Sequence, residues 1–361
     1  MQIPLIDLKA QYLNIKKEID DAVGSVLRTG AFILGEDVSK LEEEVARFCG
    51  VSYGVGVNSG TDALYLSLRA CGVKAGDEVI TTSFSFFATA ETISMCGAVP
   101  VFIDIDPITY NIDVKKIEEK INAKTKAIIP VHLFGQIAEM EKITDIAKRY
   151  NLKVIEDACQ AIGSEYKGKK SCTFGDTGCL SFFPTKNLGG IGDGGMVVTN
   201  NKEIADRVRM LRVHGSEKKY MHSEIGIGSR LDTIQAAVLR VKLKYLQAWN
   251  EKRIKNAKIY NAGLKKVGTP VKMEYNKHIY HQYTIRTPDR DKLQKHLTEK
   301  GISSAIHYPV PLHKQEVYVK SGINVSLPES ENASKEVLSL PCYPEMTEEM
   351  LHYVIGTING F

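Results

Sequence analysis

From about residue 50 to residue 200, short β-branched runs alternate with segments whose apolar positions recur every three or four residues. Glu78–Thr82, Val99–Asp104, Ala127–His132, Lys153–Asp157, Cys179–Phe183 and Gly195–Thr199 predict strands. Between them, Asp62–Cys71, Thr89–Cys96, Val114–Ile121, Glu139–Tyr150 and Lys202–Leu211 carry the spacing of helices with one buried face. This alternation is the signature of crossover units on a mainly parallel sheet, whose sites form in the loops that follow the strands. Upstream, Ile15–Leu27 and Val38–Phe48 predict two more amphipathic helices. After Arg230 the pattern changes to one long helix, Thr233 to about Leu264. A strand at Tyr280–Arg286 and helices at Lys292–Lys300 and Glu348–Ile358 then read as a smaller α+β unit. The division is expected near Trp249, with a large unit over 1–248 and a small one over 249–361.

Composition narrows the function classes. With 361 residues, 43% of them hydrophobic and 25% charged, the chain can bury a large core, which excludes global disorder. The net charge of +4 is spread as pairs along the chain, an arrangement that disfavours nucleic acid as a partner. One of the longest uncharged stretches, Phe48–Thr61, falls short of the roughly 18 apolar residues of a membrane span. Asp7 and Lys9 stand where a signal peptide needs an apolar core, so a cytoplasmic protein is expected. Seven cysteines without a CxxC pair suggest buried, reduced thiols. His278 and His281 lack cysteine or carboxylate partners at ligand spacing, and no metal site is expected.

Three loops after strands carry chemistry. Asn58–Asp62 precedes a helix, so the free N–H groups of Gly60 and Thr61 suit a phosphate; an ordinary N-cap on Ser59 or Thr61 accounts for the same residues. Asp157 and Gln160 place a carboxylate and an amide at one strand's C-terminal edge, where Asp157 could equally cap a turn. Ser181–Lys186 sets a lysine after an apolar strand and before Gly189, Gly190, Gly192, Gly194 and Gly195, a setting in which a Schiff-base amine is partly desolvated. Together these are the parts needed to hold pyridoxal 5′-phosphate: Lys186 for the imine, Asp157 for the pyridine nitrogen, and Gly60, Thr61 and Ser181 for the phosphate. The run Phe84–Phe87 offers a ring to stack on the cofactor, with core packing as the other use of such a run.

With these residues in view, the chain resembles the DegT/DnrJ/EryC1/StrS family of nucleotide-sugar aminotransferases nearly end to end. The carriers are Ile3–Leu8, Phe32–Gly35, Ser59–Leu64, Glu156–Ala161, Ser181–Lys186, Gly192–Gly195 and Arg230–Ala236. The resemblance implies an α/β chain of the type I pyridoxal-phosphate aminotransferase fold, with a mainly parallel mixed sheet in its large domain. It also implies a homodimer with two shared sites and a cofactor that cycles to pyridoxamine phosphate. By this likeness Lys186 is the Schiff-base lysine, Asp157 partners the pyridine nitrogen, Gln160 neighbours the ring hydroxyl and Phe86 stacks. Gly60, Thr61 and Ser181 take the phosphate, and the segment Gly228–Arg230 reaches the partner subunit's site. Where similar sequences carry Asn-Ser-Arg, this chain has glycine at 228, which removes a side-chain phosphate contact.

Within the family, Ser229–Gln235 and Ala305–His313 resemble the branch that aminates C-3 of UDP-linked 2-acetamido-3-oxo sugars, including the 3-oxoglucuronate. In that branch the positions of Arg230, His307 and Tyr308 touch the sugar; packing beneath a turn before Pro309 is the other use of His307 and Tyr308. L-Glutamate is the expected donor, and the product class feeds surface polysaccharide and lipopolysaccharide. Arg212, Lys218 and Lys219 are further candidates for the diphosphate, with a solvated surface turn as the favoured reading of the two lysines. Other readings are a dTDP-3-oxo-6-deoxyhexose as acceptor, a sugar dehydratase, or a non-catalytic regulatory or binding protein on the same scaffold. Dehydratase relatives carry histidine where this chain has Lys186.

Overall fold

The sheet at the centre follows from where the chain places its β-branched runs. A computed structural model describes all residues, 1–361. Its strands are β1 (Tyr53–Val57), β2 (Glu78–Thr82), β3 (Val99–Ile103), β4 (Thr125–Ile129), β5 (Lys153–Asp157), β6 (Thr177–Ser181) and β7 (Gly195–Thr199). They lie in the order β1-β7-β6-β5-β4-β2-β3. All neighbours are parallel except at β7, which runs against both β1 and β6. The sheet is therefore mixed and mainly parallel, as expected. The C-terminal ends of β1, β2, β5 and β6 share one edge with the start of β7, and this edge gathers the candidate chemistry.

Helices cover both faces. On one side α4 (Gly60–Ala70) and α7 (Lys202–Leu211) bury Leu64, Leu68, Val208 and Leu211 against Val55, Ile155 and Val197. On the other, α3 (Glu36–Cys49) and the first half of α8 (Thr233–Gly263) enclose Leu41, Val45, Phe182, Leu239 and Leu246. Helices α1 (Leu8–Asn14) and α2 (Lys16–Thr29) lead the chain, α2 packing on α8 through Ile19 and Val238. Between the strands lie α5 (Ala88–Met95) and α6 (Met140–Arg149). Caps fix several helix starts: Ser59 accepts from Asp62 N–H, Asn201 from Glu203 and Ile204 N–H, and Thr347 from Met350 N–H.

The C-terminal segment has its own core. Strands β8 (Tyr283–Arg286) and β9 (Val337–Leu340) pair antiparallel, flanked by α9 (Arg290–Glu299) and α12 (Glu348–Gly360), with α10 (Glu316–Lys320) and α11 (Pro328–Glu336) on the way. Tyr260, Tyr283, Leu293, Leu340 and Val354 form its interior. Helix α8 runs through the expected division near Trp249 without a break. Its Arg253 donates to the carbonyls of Tyr280, His281 and Cys342. No helix is long and apolar enough to cross a membrane.

Two expectations change, and one strand of the sheet has no signal in the pattern. The helix expected at Val114–Ile121 is a pair of 3-10 turns, Val114–Lys116 and Glu118–Lys120. Only Val114 and Ile117 are buried there, and a three-residue spacing suits that tighter turn. The strand expected from Tyr280 starts at Tyr283, because Tyr280 sits at φ +49 and its carbonyl faces Arg253. Strand β1 was absent from the pattern, since Gly54 and Gly56 interrupt it. They are small because a Cβ at Gly54 would lie 2.5 Å from the Glu42 carbonyl of α3.

Candidate active site

Four strand ends converge on one cavity of about 490 Å³, within the size range of small-molecule sites. Ser59, Gly60 and Thr61 form its floor at the start of α4. The Ser59 hydroxyl accepts from Asp62 N–H at 3.0 Å, so the cap is real, yet the N–H groups of Gly60 and Thr61 keep no partner in the chain. The cap therefore leaves both N–H groups free to take an anion. A Cβ at Gly60 would lie 2.7 Å from Ser181 Cβ and 3.0 Å from Cys159 Sγ, so only glycine lets the backbone approach there.

Asp157 ends β5 and is buried. Its Oδ2 accepts from Thr89 Oγ1 at 2.8 Å, and its Oδ1 lies 3.3 Å from Cys159 N–H. Thr89 in turn lies 2.9 Å from Ser85 Oγ; with its one proton on Asp157, it accepts from Ser85. The neighbouring Glu156 points to the opposite face of the strand. There it accepts from Cys172, Phe174 and Gly175 N–H and meets His132 Nε2 at 2.9 Å. One acid of the pair thus faces the cavity and the other ties a loop.

Lys186 stands on the turn after β6, its N–H bonded to the Phe183 carbonyl at 2.8 Å. Burial pushes its amine below the ordinary lysine range, opposed by Cys159 and Asp157. Lys242 of α8 holds the following turn through the Gly189 carbonyl at 2.8 Å, and burial brings its pKa down to about 8. Phe86 leaves more than half its surface exposed on the cavity wall, 6.3 Å from the Tyr308 ring between centroids.

The C-terminal segment closes the far wall with His281, Gln282, His307 and Tyr308. Gln160 is locked in one orientation: its Oε1 accepts from Phe134 N–H at 2.7 Å and its amide donates to Tyr308 Oη at 3.0 Å. Tyr308 therefore keeps its own proton for the cavity, and burial pushes its phenol well above the usual range. His307 Nδ1 meets Ser339 Oγ at 2.9 Å, and burial with Lys186 nearby lowers its pKa to about 4.

Gly60, Thr61, Phe86, Asp157, Gln160, Ser181, Lys186, His307 and Tyr308 all line this one cavity. Gly228 and Arg230 do not. Ser229 between them donates to Asp62 Oδ2 at 2.6 Å, and the His214 ring fills the space beside Gly228, 3.0 Å from where a side chain would begin. Arg212 is not free for a diphosphate, since it is buried and donates to Glu42 and to the Gly56 carbonyl. Lys218 is exposed on the hairpin of Ser216–Lys218 and Met221–His222, and Lys219 is exposed in its turn. The sequence reading missed Thr89, Cys159, His281 and Asp193 as cavity residues. Nothing local marks Thr89, whereas the sequence presents His281 only as a metal-ligand candidate beside His278.

These residues fit pyridoxal phosphate: bare N–H groups at a turn where Gly60 allows close approach, a braced carboxylate, a half-buried lysine and an uncovered aromatic ring. Comparison with known proteins agrees. The model of the DegT/DnrJ/EryC1/StrS aminotransferase family matches residues 13–359. A pleiotropic regulatory protein of Geobacillus stearothermophilus is 50% identical over 100% of this chain and 99% of its own. The UDP-2-acetamido-2-deoxy-3-oxo-D-glucuronate aminotransferase of Pseudomonas aeruginosa is 45% identical over 99% of this chain and 100% of its own. Among solved structures, S. venezuelae DesV in complex with a ketimine intermediate superposes with a TM-score of 0.97 at 40% identity, covering 99% of this chain and 98% of that one. The Bacillus subtilis protein NtdA, with bound pyridoxamine phosphate, gives 0.93 at 33% identity, covering 99% and 85%.

Proposed function

The chain belongs to the DegT/DnrJ/EryC1/StrS aminotransferase family, whose cofactor is pyridoxal phosphate, and on that premise we propose the reaction and the residue roles. The amino group of L-glutamate passes to the C-3 ketone of a nucleotide-linked sugar, a UDP-2-acetamido-2-deoxy-3-oxo-hexose or hexuronate. The products are 2-oxoglutarate and the 3-amino sugar. The observation that carries this reading is Lys186, half-buried in one cavity with Asp157 and the bare N–H groups of Gly60 and Thr61. The Pseudomonas relative supports the choice of sugar.

When bound, pyridoxal phosphate supplies an electron sink for the pair left behind when a proton leaves carbon. The N–H groups of Gly60 and Thr61 and the Ser181 hydroxyl bind its phosphate. Asp157, braced by Thr89, holds negative charge toward the ring nitrogen, Gln160 sits beside the ring hydroxyl, and Phe86 covers one face. Lys186 Nζ, poised by burial to lose its proton, takes a proton from the glutamate Cα and later delivers one to the sugar C-3. His307 and Tyr308 orient the sugar.

A second copy of the chain completes the site. Arg230 stands away from its own cavity, and Phe32, Ile33 and Leu34 form a run of exposed apolar residues suited to a homodimer contact. The test is the visible absorbance of purified protein with pyridoxal phosphate, before and after L-glutamate, with Lys186→Ala alongside and 2-oxoglutarate assayed. A band that requires Lys186 and bleaches with glutamate supports the reading. A band that persists with glutamate turns it toward binding without turnover. Gel filtration at the mass of one chain, for fully active protein, would contradict the shared site.

A further inference from the structure

A chain of amides fixes the proton on His281. Ile162 offers only a carbonyl to Asn250, so the Asn250 amide nitrogen must face it, at 3.1 Å. The Asn250 oxygen then accepts from the Asn187 amide nitrogen at 2.7 Å, which turns the Asn187 oxygen toward His281 Nδ1 at 2.9 Å. Nδ1 must therefore carry the proton. His281 is only 6% exposed and lines the cavity, and its Nε2 meets no protein group. It is a hydrogen-bond acceptor held beside the turn of Lys186.

We propose that His281 is a specificity-determining residue for the acceptor sugar, its Nε2 accepting a hydrogen bond from a ring hydroxyl or from the acetamido N–H. This rests on the sugar reading above. Both substrates enter one cavity, and they differ in what they offer such a nitrogen. Beyond the reacting amine, glutamate brings carboxylates, which have no proton to give; a sugar brings several donors. The nitrogen also stays unprotonated. The groups that bear on His281 are Lys186, Arg253 and His307, none of them negative, and together with burial they hold its pKa well below the usual histidine value. His281 is thus an acceptor that bonds a donor on the sugar and offers a carboxylate nothing.

The experiment compares His281→Phe, His281→Gln and Asn250→Leu with the wild type, all loaded with cofactor. Calorimetry gives the Kd of UDP-N-acetylglucosamine and of UDP alone, and stopped-flow bleaching gives the rates with L-glutamate and with a UDP-linked 3-amino sugar. His281→Phe should weaken UDP-N-acetylglucosamine and slow the amino-sugar step by about tenfold, the effect of one lost hydrogen bond. UDP affinity and the glutamate rate should stay within about twofold. Gln, which keeps an acceptor, should recover most of the loss. Asn250→Leu, remote from the cavity, should show a smaller loss of the same kind. Unchanged sugar binding in His281→Phe, or an equal fall in the glutamate rate, overturns the inference alone. A wild type that neither binds the UDP sugar nor reacts with the amino sugar overturns the sugar reading, and this inference with it.

Discussion

Thr89 gives its hydroxyl proton to Asp157 Oδ2 across 2.8 Å, and so braces the one carboxylate at the end of β5 that faces the cavity. The bond joins α5 to the sheet and fixes the carboxylate where the proposed function sets it opposite the cofactor's ring nitrogen. Thr89→Val keeps the shape and removes the donor. Hydrogen bonds to charged groups contribute about 1.5–3 kcal/mol, so the affinity for pyridoxal phosphate should fall by roughly one to two orders of magnitude. Fluorescence titration of apoprotein measures this, and an unchanged Kd would show that Asp157 needs no brace.

Gly60→Ala drives a methyl to 2.7 Å from Ser181 Cβ, with Cys159 Sγ at 3.0 Å. The start of α4 has to move away from β6, and the two bare N–H groups move with it. We expect at least about a tenfold loss of cofactor affinity, a cost of more than roughly 1.4 kcal/mol, with thermal stability of the apoprotein lowered as well. Adding Cys159→Ala should recover only part, because the closer contact is to Ser181.

Glu156 is wholly buried and accepts from three backbone N–H groups as well as meeting His132. Glu156→Ala strands those donors. A loss of about 3–5 kcal/mol follows, seen as a fall in Tm on the order of 10 °C by calorimetry. A Tm within two or three degrees of wild type would mean that the 172–175 loop satisfies its donors elsewhere.

Acid should weaken the fold. Burial lowers the pKa of His278 to about 3 and that of His307 to about 4, and it lowers His281 and His313 too. In each case the folded value lies below the unfolded one near 6.5, so the unfolded chain binds more protons between the two. Stability is therefore full above about pH 6.5 and is lost as pH falls toward 4 and below. At pH 5 a fully buried histidine costs on the order of 2 kcal/mol. His278→Gln keeps an acceptor for Tyr280 N–H and removes one titration. The difference between its urea midpoints at pH 7 and pH 5 should be smaller than in wild type.

Much of this architecture is legible in the chain because β-branched runs and helical spacing are local signals. Strands β2, β5 and β7 and helix α7 lie where the pattern puts them. What escaped depends on contacts distant in sequence. Strand β1 carries glycine at two of its five positions because α3 presses on it, so its reason lies in tertiary packing. In the cavity, Lys186 and Asp157 announce themselves as charged residues after strands. Thr89 resembles any residue of a helix start, and His281 reaches the site through Asn187, 94 residues earlier in the chain. No window on the sequence joins those two.

The reversed strand β7 sets an order of assembly. Ser52, just before β1, is bonded to Asn200, just after β7, and 148 residues separate them. β1 finds its only sheet neighbour in β7, so during synthesis it waits for that whole length to leave the ribosome. The Ser59–Thr61 floor hangs on the end of β1, and a Cβ on Gly195 of β7 would lie 2.2 Å from the Ser59 carbonyl. Such long closures are slow. Cofactor capture by a nascent chain should therefore begin only after β7 has docked, and the colour of the bound cofactor would time that step.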